Sequence, residues 1–390
     1  MGTNFDEIID RRNTNSLKYD FGIERKHRDD LLPLWIADMD FRLPDAVLDD
    51  IHNAVSHGIF GYSAVKEDFF HVLANWFKTH FDWDIEQPWL VQTPGVVFAI
   101  ALAIKAFTDE GDAVIIQQPV YYPFSEVIRD NNRRIINNQL LYRDGKYEID
   151  FEDFEEKIVQ EKIKLFLLCN PQNPTGRVFT KEELTRLGNI CLKHKVLVLS
   201  DEIHCDFIYP GYTHTVFASI SPEFRDNSII CTSPSKSFNM AGLQVSNIFI
   251  PNKAVRNSFY QAYEGSGYSQ LNALGLVACK SAYDKGDPWL QELKAYLKDN
   301  LDFVRTYLEE NIPEIKLVEP EGTYLIWLDC SALGLTYKEL EKLIVDTAKL
   351  WLDGGVIFGR ETALFERINI ACPHSILAQA LSNLEAAIHS

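Results

Sequence analysis

Six short, largely apolar runs constrain this chain more than any other feature. They fall at residues 113–116, 134–136, 165–168, 196–199, 228–231 and 247–250. Many are continuous rather than alternating. A strand with one wet face alternates apolar and polar side chains, whereas a strand covered on both faces does not. Helical stretches such as residues 181–193 separate most of the runs. That alternation predicts an α/β domain built around a mostly parallel sheet.

Past about residue 285 the texture changes. A polar helical stretch is predicted over 288–311, short strands over 315–318 and 324–328, a helix over 337–350 and a last helix after Pro373. These describe a smaller α+β domain. A chain of 390 residues is long for one core. We therefore expect residues 1–47 to form an N-terminal arm and part of the small domain, 48–287 the large domain, and 288–390 the C-terminal small domain.

The formal net charge of -18 argues against nucleic acid and anionic membrane surfaces as partners, because both require basic patches. It leaves room for an anionic small molecule in a locally positive pocket. No apolar stretch is long enough to span a bilayer. The first residues lack a basic region followed by an apolar one, so no secretory signal is expected. Seven cysteines, several within apolar runs, suit reduced thiols and a cytoplasmic location. His204-Cys205-Asp206 suggests a metal site at first sight. Read as strand residues, the three point to alternating faces and cannot converge, so no metal is expected.

Chemistry concentrates where the apolar runs end. Lys236 follows the run 228–231 within Ser233-Pro234-Ser235-Lys236-Ser237, and its amine can condense with an aldehyde while Ser233 and Ser235 contact a phosphate. Thr93-Pro94-Gly95-Val96-Val97 precedes an apolar helix. Free N–H groups at such a helix start, at Gly95, Val96 and Val97, make an anion site. Tyr121 and Tyr122 follow a strand, and either ring can stack on a flat ligand; Tyr121 is preferred. Asn170-Pro171-Gln172-Asn173-Pro174-Thr175-Gly176 supplies asparagine donors at another strand end. Asp201 ends the run 196–199 and can hold a pyridine nitrogen protonated. Arg367 offers a fork for a carboxylate.

Taken together, these motifs resemble the signature set of fold-type I pyridoxal-phosphate (PLP) enzymes of the aminotransferase class I/II superfamily. Within it, Trp35-Ile36-Ala37-Asp38-Met39-Asp40-Phe41 and Phe60-Gly61-Tyr62 resemble the MalY/PatB group of cystathionine β-lyase-like C–S lyases. The resemblance implies the PLP-transferase type I fold, with a mostly parallel seven-stranded sheet in the large domain. It implies that Lys236, Asp201 and Tyr121 carry catalysis. Asn173 and His204 would lie at the cofactor's phenolic oxygen, and Arg367, Asn173 and Asp38 beside an amino-acid substrate. It also implies a homodimer with shared active sites, Tyr62 reaching the neighbouring subunit's phosphate.

His204 and Gln244 stand where many aminotransferases have a tyrosine and an arginine, which favours β-elimination from S-substituted cysteines over transamination. Transamination is the alternative. A non-catalytic PLP-fold regulator is a third reading, opposed by the complete lysine, aspartate and asparagine set. Residues 354–365 depart from the group's Gly-rich pattern, with Arg360 and Glu361 charged.

Overall fold

The computed structural model describes residues 2–390. Its centre is a seven-stranded sheet of β1 (Leu90–Thr93), β2 (Ala113–Ile116), β3 (Arg134–Asn137), β4 (Leu165–Cys169), β5 (Leu197–Asp201), β6 (Ser228–Thr232) and β7 (Ser246–Phe249). The spatial order is β1-β7-β6-β5-β4-β2-β3. The neighbours from β6 through β5, β4 and β2 to β3 pair in parallel, and β7 runs antiparallel to both β6 and β1.

The continuous apolar runs have the cause read from the sequence. In β4, Leu165, Leu167 and Cys169 face one apolar core, while Phe166 and Leu168 face the other. The first core is closed by the apolar helix Val96–Phe107 and by Phe259 of the helix Lys253–Gly265. The second is closed by the helices Lys181–His194 and Ala273–Lys285, among others. Local signals set the helix ends. Thr180 and Glu183 form a capping box at the start of Lys181–His194, satisfying orphan N–H groups, and Lys195 ends the helix in the left-handed region.

The smaller sheet contains β8 (Lys316–Val318), β9 (Leu325–Asp329), β10 (Asp353–Gly354) and β11 (Phe365–Asn369). Its order is β8-β9-β11-β10, antiparallel throughout. The helix Asp287–Asn311 packs beside it, and His374–Ile388 packs on that helix and on Leu350–Trp351. Leu32–Pro33 pairs in parallel with Leu350–Trp351, which carries the N-terminal arm to this sheet. The helix Asp45–Ser56 instead packs on Ala273–Lys285, where Asp50 accepts from Ser281 and Lys285 at 2.6 Å each. An expected boundary at 47/48 would cut that helix; we propose Pro44, which begins it, as the divide.

The predicted helix over 337–350 ends early. It runs as Tyr337–Lys342 plus the wider turn Leu343–Thr347, and Lys349 at φ 57° turns the chain into a strand. Leu350 and Trp351 are needed there as partners of Leu32 and Pro33. Strands β1, β10 and β11 were not foreseen. Their sequences hold buried polar groups, including Thr93, Asp353, Glu366 and Arg367, which hide the apolar signal.

Candidate active site

Parallel strands present their carboxyl ends on one edge of a sheet, and ligands collect there. Asp201 is the last residue of β5, and Lys236 lies in the one-turn helix Pro234–Ser237 after β6. Asn173 lies in the loop after β4 and Tyr121 in the loop after β2. Gly95 caps the helix Val96–Phe107 after β1. These residues, with Val96, Val97, His204, Ser233, Ser235 and Gln244, line one cavity of about 190 Å³. Tyr122 is turned to a neighbouring cleft with Trp35 and Asp353, so the structure separates the two tyrosines.

The cavity is electrostatically unusual. Burial pushes the Asp201 carboxyl up to about 7, opposed by the Ile203 N–H at 3.2 Å and the charge of Lys236. Loss of water also brings the Lys236 amine down to about 8; Arg367 lowers it further, while Asp38 and Asp201 hold it up. The accessibility Lys236 retains is to the cavity, which it lines. His204 is buried and held near 3 by desolvation and by the cations Lys236 and Arg367, so its ring is neutral. Its Nδ1 is buried without a partner. Tyr121 is raised well above its ordinary value by burial and stays protonated. Perturbed groups gathered in one cleft mark a functional site.

At the other end the cavity is built for an anion. Val96 and Val97 open a 12-residue helix, where the first N–H groups have no helical acceptor. A Cβ added at Gly95 would meet nothing within 4 Å, so the approach is open. Ser235 presents its hydroxyl to the cavity, but Ser233 does not have the same freedom. Its Oγ donates to the Val245 carbonyl at 2.8 Å and accepts the Ser235 N–H at 3.1 Å, capping the short helix.

Arg367 is buried in β11 and donates to Asn173 Oδ1 at 2.9 Å, to the Trp35 carbonyl at 2.6 Å, and to Asp353. Guanidinium has only donors, so the Asn173 atom facing it must be oxygen, which leaves the Asn173 amide N–H groups for a ligand. Arg367 Nε is buried with no partner. Asp38 is differently placed. Its carboxylate takes a two-pronged contact from Arg11, at 2.7 and 3.3 Å, and is not among the cavity's lining. Its influence on Lys236 is through charge. Tyr62 is 96% exposed and outside the cavity within one chain.

His204-Cys205-Asp206 lies in a turn after β5, not in a strand. His204 reaches the cavity, whereas Asp206 accepts from Ser237. Among the described residues no cluster of potential metal ligands forms.

Sequence reasoning missed three participants. The Ala37 carbonyl accepts from Lys236 Nζ at 2.7 Å and from the Tyr324 hydroxyl at 3.2 Å. Tyr324 is fully buried, with its ring edge-on to His204 at 5.9 Å. Asp353 holds Arg367. A backbone carbonyl carries no sequence signal, Tyr324 looks like an ordinary strand residue, and Asp353 lies in a strand whose apolar signal is hidden.

Comparison with known proteins places this geometry. Cystathionine beta-lyase PatB of Bacillus subtilis is 41% identical over 385 residues, 99% of this chain and all of that one. Protein MalY of Escherichia coli is 33% identical over 99% of each chain. Cystalysin from Treponema denticola, a structure containing pyridoxal 5'-phosphate, superposes with a TM-score of 0.97 at 38% identity, covering 100% of this chain and 99% of that one. The chain therefore has the type I fold of PLP-dependent enzymes. The family profile of aminotransferase class I and II matches residues 30–384. With the match spanning both sheets and the residues that line the strand-end cavity, the chain belongs to the aminotransferase class I and II family.

Proposed function

We propose that the protein is a PLP-dependent carbon–sulfur lyase that cleaves S-substituted cysteines, cystathionine-like, into a thiol, pyruvate and ammonia. The carrying observation is the single cavity holding Lys236, a carboxylate with one hydrogen bond, a neutral histidine and a helix N-terminus. That donor set fits PLP. The orphan Nδ1 of His204 and the free amide of Asn173 suit its phenolic oxygen, Asp201 its ring nitrogen, and Tyr121 its ring face. The N–H groups at Gly95, Val96 and Val97 and the Ser235 hydroxyl suit its phosphate, and Lys236 its aldehyde carbon. When bound, the cofactor supplies an electron sink for the charge left at the substrate Cα after proton removal.

The chain's own residues supply the rest. Lys236, with its amine lowered to about 8, is partly neutral near pH 7 to 8 and takes the Cα proton. Asp201 keeps a positive charge on the ring nitrogen. Arg367 takes the substrate carboxylate, which competes with Asp353 for it. The buried surroundings exclude water from these charges. His204 and Gln244 line the cavity where many aminotransferases carry a tyrosine and an arginine, and C–S lyases figure among the close structural relatives, such as that of Staphylococcus hominis at 34% identity and TM-score 0.93.

The active unit in this reading is a cytoplasmic homodimer. Ile59, Phe60 and Tyr62 are 74%, 61% and 96% exposed in one chain, an apolar patch that a second copy would cover while placing Tyr62 at the neighbouring phosphate. Seven buried free cysteines agree with a reducing compartment. The test is to incubate the purified, PLP-loaded protein with L-cystathionine. Thiol and pyruvate released without any keto acid support the lyase. Turnover that requires an added keto acid assigns the protein to transamination instead.

A further inference from the structure

Residues 34–41 cross from the small sheet to the Lys236 helix, and their carbonyls are taken up by side chains almost one by one. Arg367 donates to Trp35 at 2.6 Å, and Asn369 Nδ2 donates to Ile36 and Asp38 at 2.8 and 2.6 Å. Lys236 and Tyr324 donate to Ala37 at 2.7 and 3.2 Å. Asn239 Nδ2 donates to Met39 and Phe41 at 2.9 and 2.8 Å, while its Oδ1 accepts the Met39 N–H at 2.9 Å. Arg11 adds a bond to Met39 at 3.2 Å, and it and the fully buried Lys18 hold the Asp38 and Asp40 carboxylates.

The spacing of these grips is informative. Asn239 lies three residues after Lys236, and Asn369 two residues after Arg367. Each reactive residue thus has a nearby asparagine on its own segment holding the same strap. A strap needs no such grips merely to fill space, and the Asn239 amide engages Met39 through both donor and acceptor, as a β-ladder partner would.

We infer that Asn239 and Asn369 are positioning residues for the reaction, which fix the Ala37 carbonyl and thereby the resting place of the Lys236 amine relative to the substrate carboxylate on Arg367. This rests on the lyase reading above. The Ala37 oxygen is where the free amine is held when it is not engaged. It also excludes water from that amine, because Ala37 itself is buried. The groups facing the amine are Asp38 on the strap, Asp201 at the end of β5, His204 in the turn, Arg367 on β11 and Tyr324 beside β9. With those charges unchanged, loosening the strap acts mainly by admitting water.

The experiment compares Asn239→Ser with wild type as PLP-loaded enzymes. We expect kcat to fall about tenfold or more with KM changed less, as for an interaction realised in the transition state. The rising limb of the kcat–pH profile should move upward by about 0.5 pH or more as water returns to the amine. The midpoint of the holoenzyme's absorbance titration should move too, and amide exchange of peptides covering 35–41 should quicken. Faster exchange with an unmoved kcat, pH limb and absorbance midpoint would overturn the inference. If Asn239→Ser does not fold, Asn369→Ser loosens the strap from the small sheet with no change of charge and is judged by the same criteria. The absorbance titration needs no substrate. It therefore decides the strap even if the wild type releases no thiol, a result that would overturn the lyase reading alone.

Discussion

Lys236 Nζ donates to the carbonyl oxygen of Ala37 at 2.7 Å, across 199 positions of sequence. The amine is thus held by a neutral acceptor rather than by a carboxylate. A carboxylate at that distance would favour the ammonium form, whereas a carbonyl in a dry cavity stabilises it less. Burial lowers the amine to about 8, and with no carboxylate in contact to offset that loss of water it lies within reach of neutrality at physiological pH.

Replacing that amine tests its role directly. Lys236→Ala should lose thiol release by about 10²- to 10⁴-fold or more, the range of a positioned proton-transfer group. The cavity lining is otherwise unchanged, so thermal unfolding should stay close to wild type. A variant that keeps the full rate would remove Lys236 from the mechanism.

Asp201 gives a pH-dependent stability prediction for the cofactor-free protein. Its carboxyl is raised from 3.8 to about 7 by burial. A carboxyl raised in the folded state favours folding fully below its unfolded value and loses that advantage as pH rises through the folded value. The loss therefore develops between about pH 4 and pH 7 and amounts to at most ~4 kcal/mol. Asp201→Asn should be as stable as wild type or more so at pH 8, with the difference vanishing near pH 4. The PLP-loaded variant should nevertheless lose about tenfold or more in kcat, because a neutral amide cannot hold the ring nitrogen charged. Thermal denaturation at both pH values and initial rates check the two halves.

The two serines flanking Pro234 should separate cleanly. Ser233 caps a helix and bonds Val245, so Ser233→Ala should cost about 1 kcal/mol of stability. Ser235 makes no such bond through its hydroxyl and faces the cavity. Ser235→Ala should leave unfolding unchanged and weaken PLP retention by about tenfold to a hundredfold, the worth of one hydrogen bond to a charged group. Equilibrium dialysis against PLP and thermal melts of the apo-proteins distinguish them.

Gly176 ties the Asn173 loop to the small sheet. Its carbonyl accepts from the Glu321 and Gly322 N–H groups at 2.9 Å each. Its φ is +74°, and a Cβ there would lie 2.8 Å from Pro320 Cβ. Gly176→Ala should destabilise the protein by about 1–3 kcal/mol through strain and contact. It should also raise KM more than Ser233→Ala does, because Asn173 orients Arg367. Denaturant melts and substrate saturation curves measure both.

The division between legible and illegible follows from range. Apolar runs buried on both faces and the switch to polar helix past residue 285 depend on near neighbours, so they were readable. So were Lys236, Asp201 and Asn173, because strand ends announce themselves. The commitments of individual groups were not. Tyr121 and Tyr122 are adjacent and alike, and only the docking of the loop after β2 turned one to the cavity and the other to the cleft. Asp38 sits in a group-specific motif, yet Arg11 from the N-terminal arm occupies it. Ser233 looked equivalent to Ser235 until its hydroxyl donated to the Val245 carbonyl.

By itself, then, the sequence determined the layered fold and the residue types delivered to one edge of the sheet, because periodicity and turn chemistry act over a few residues. The tertiary structure decided which of those residues were left free for a ligand. Trp35 and Arg367 are 332 positions apart, and Ala37 and Tyr324 are 287 apart. Such pairs meet only after both sheets have packed, and a buried donor then takes whichever acceptor the packing presents, since leaving either unpaired costs more than the bond itself returns.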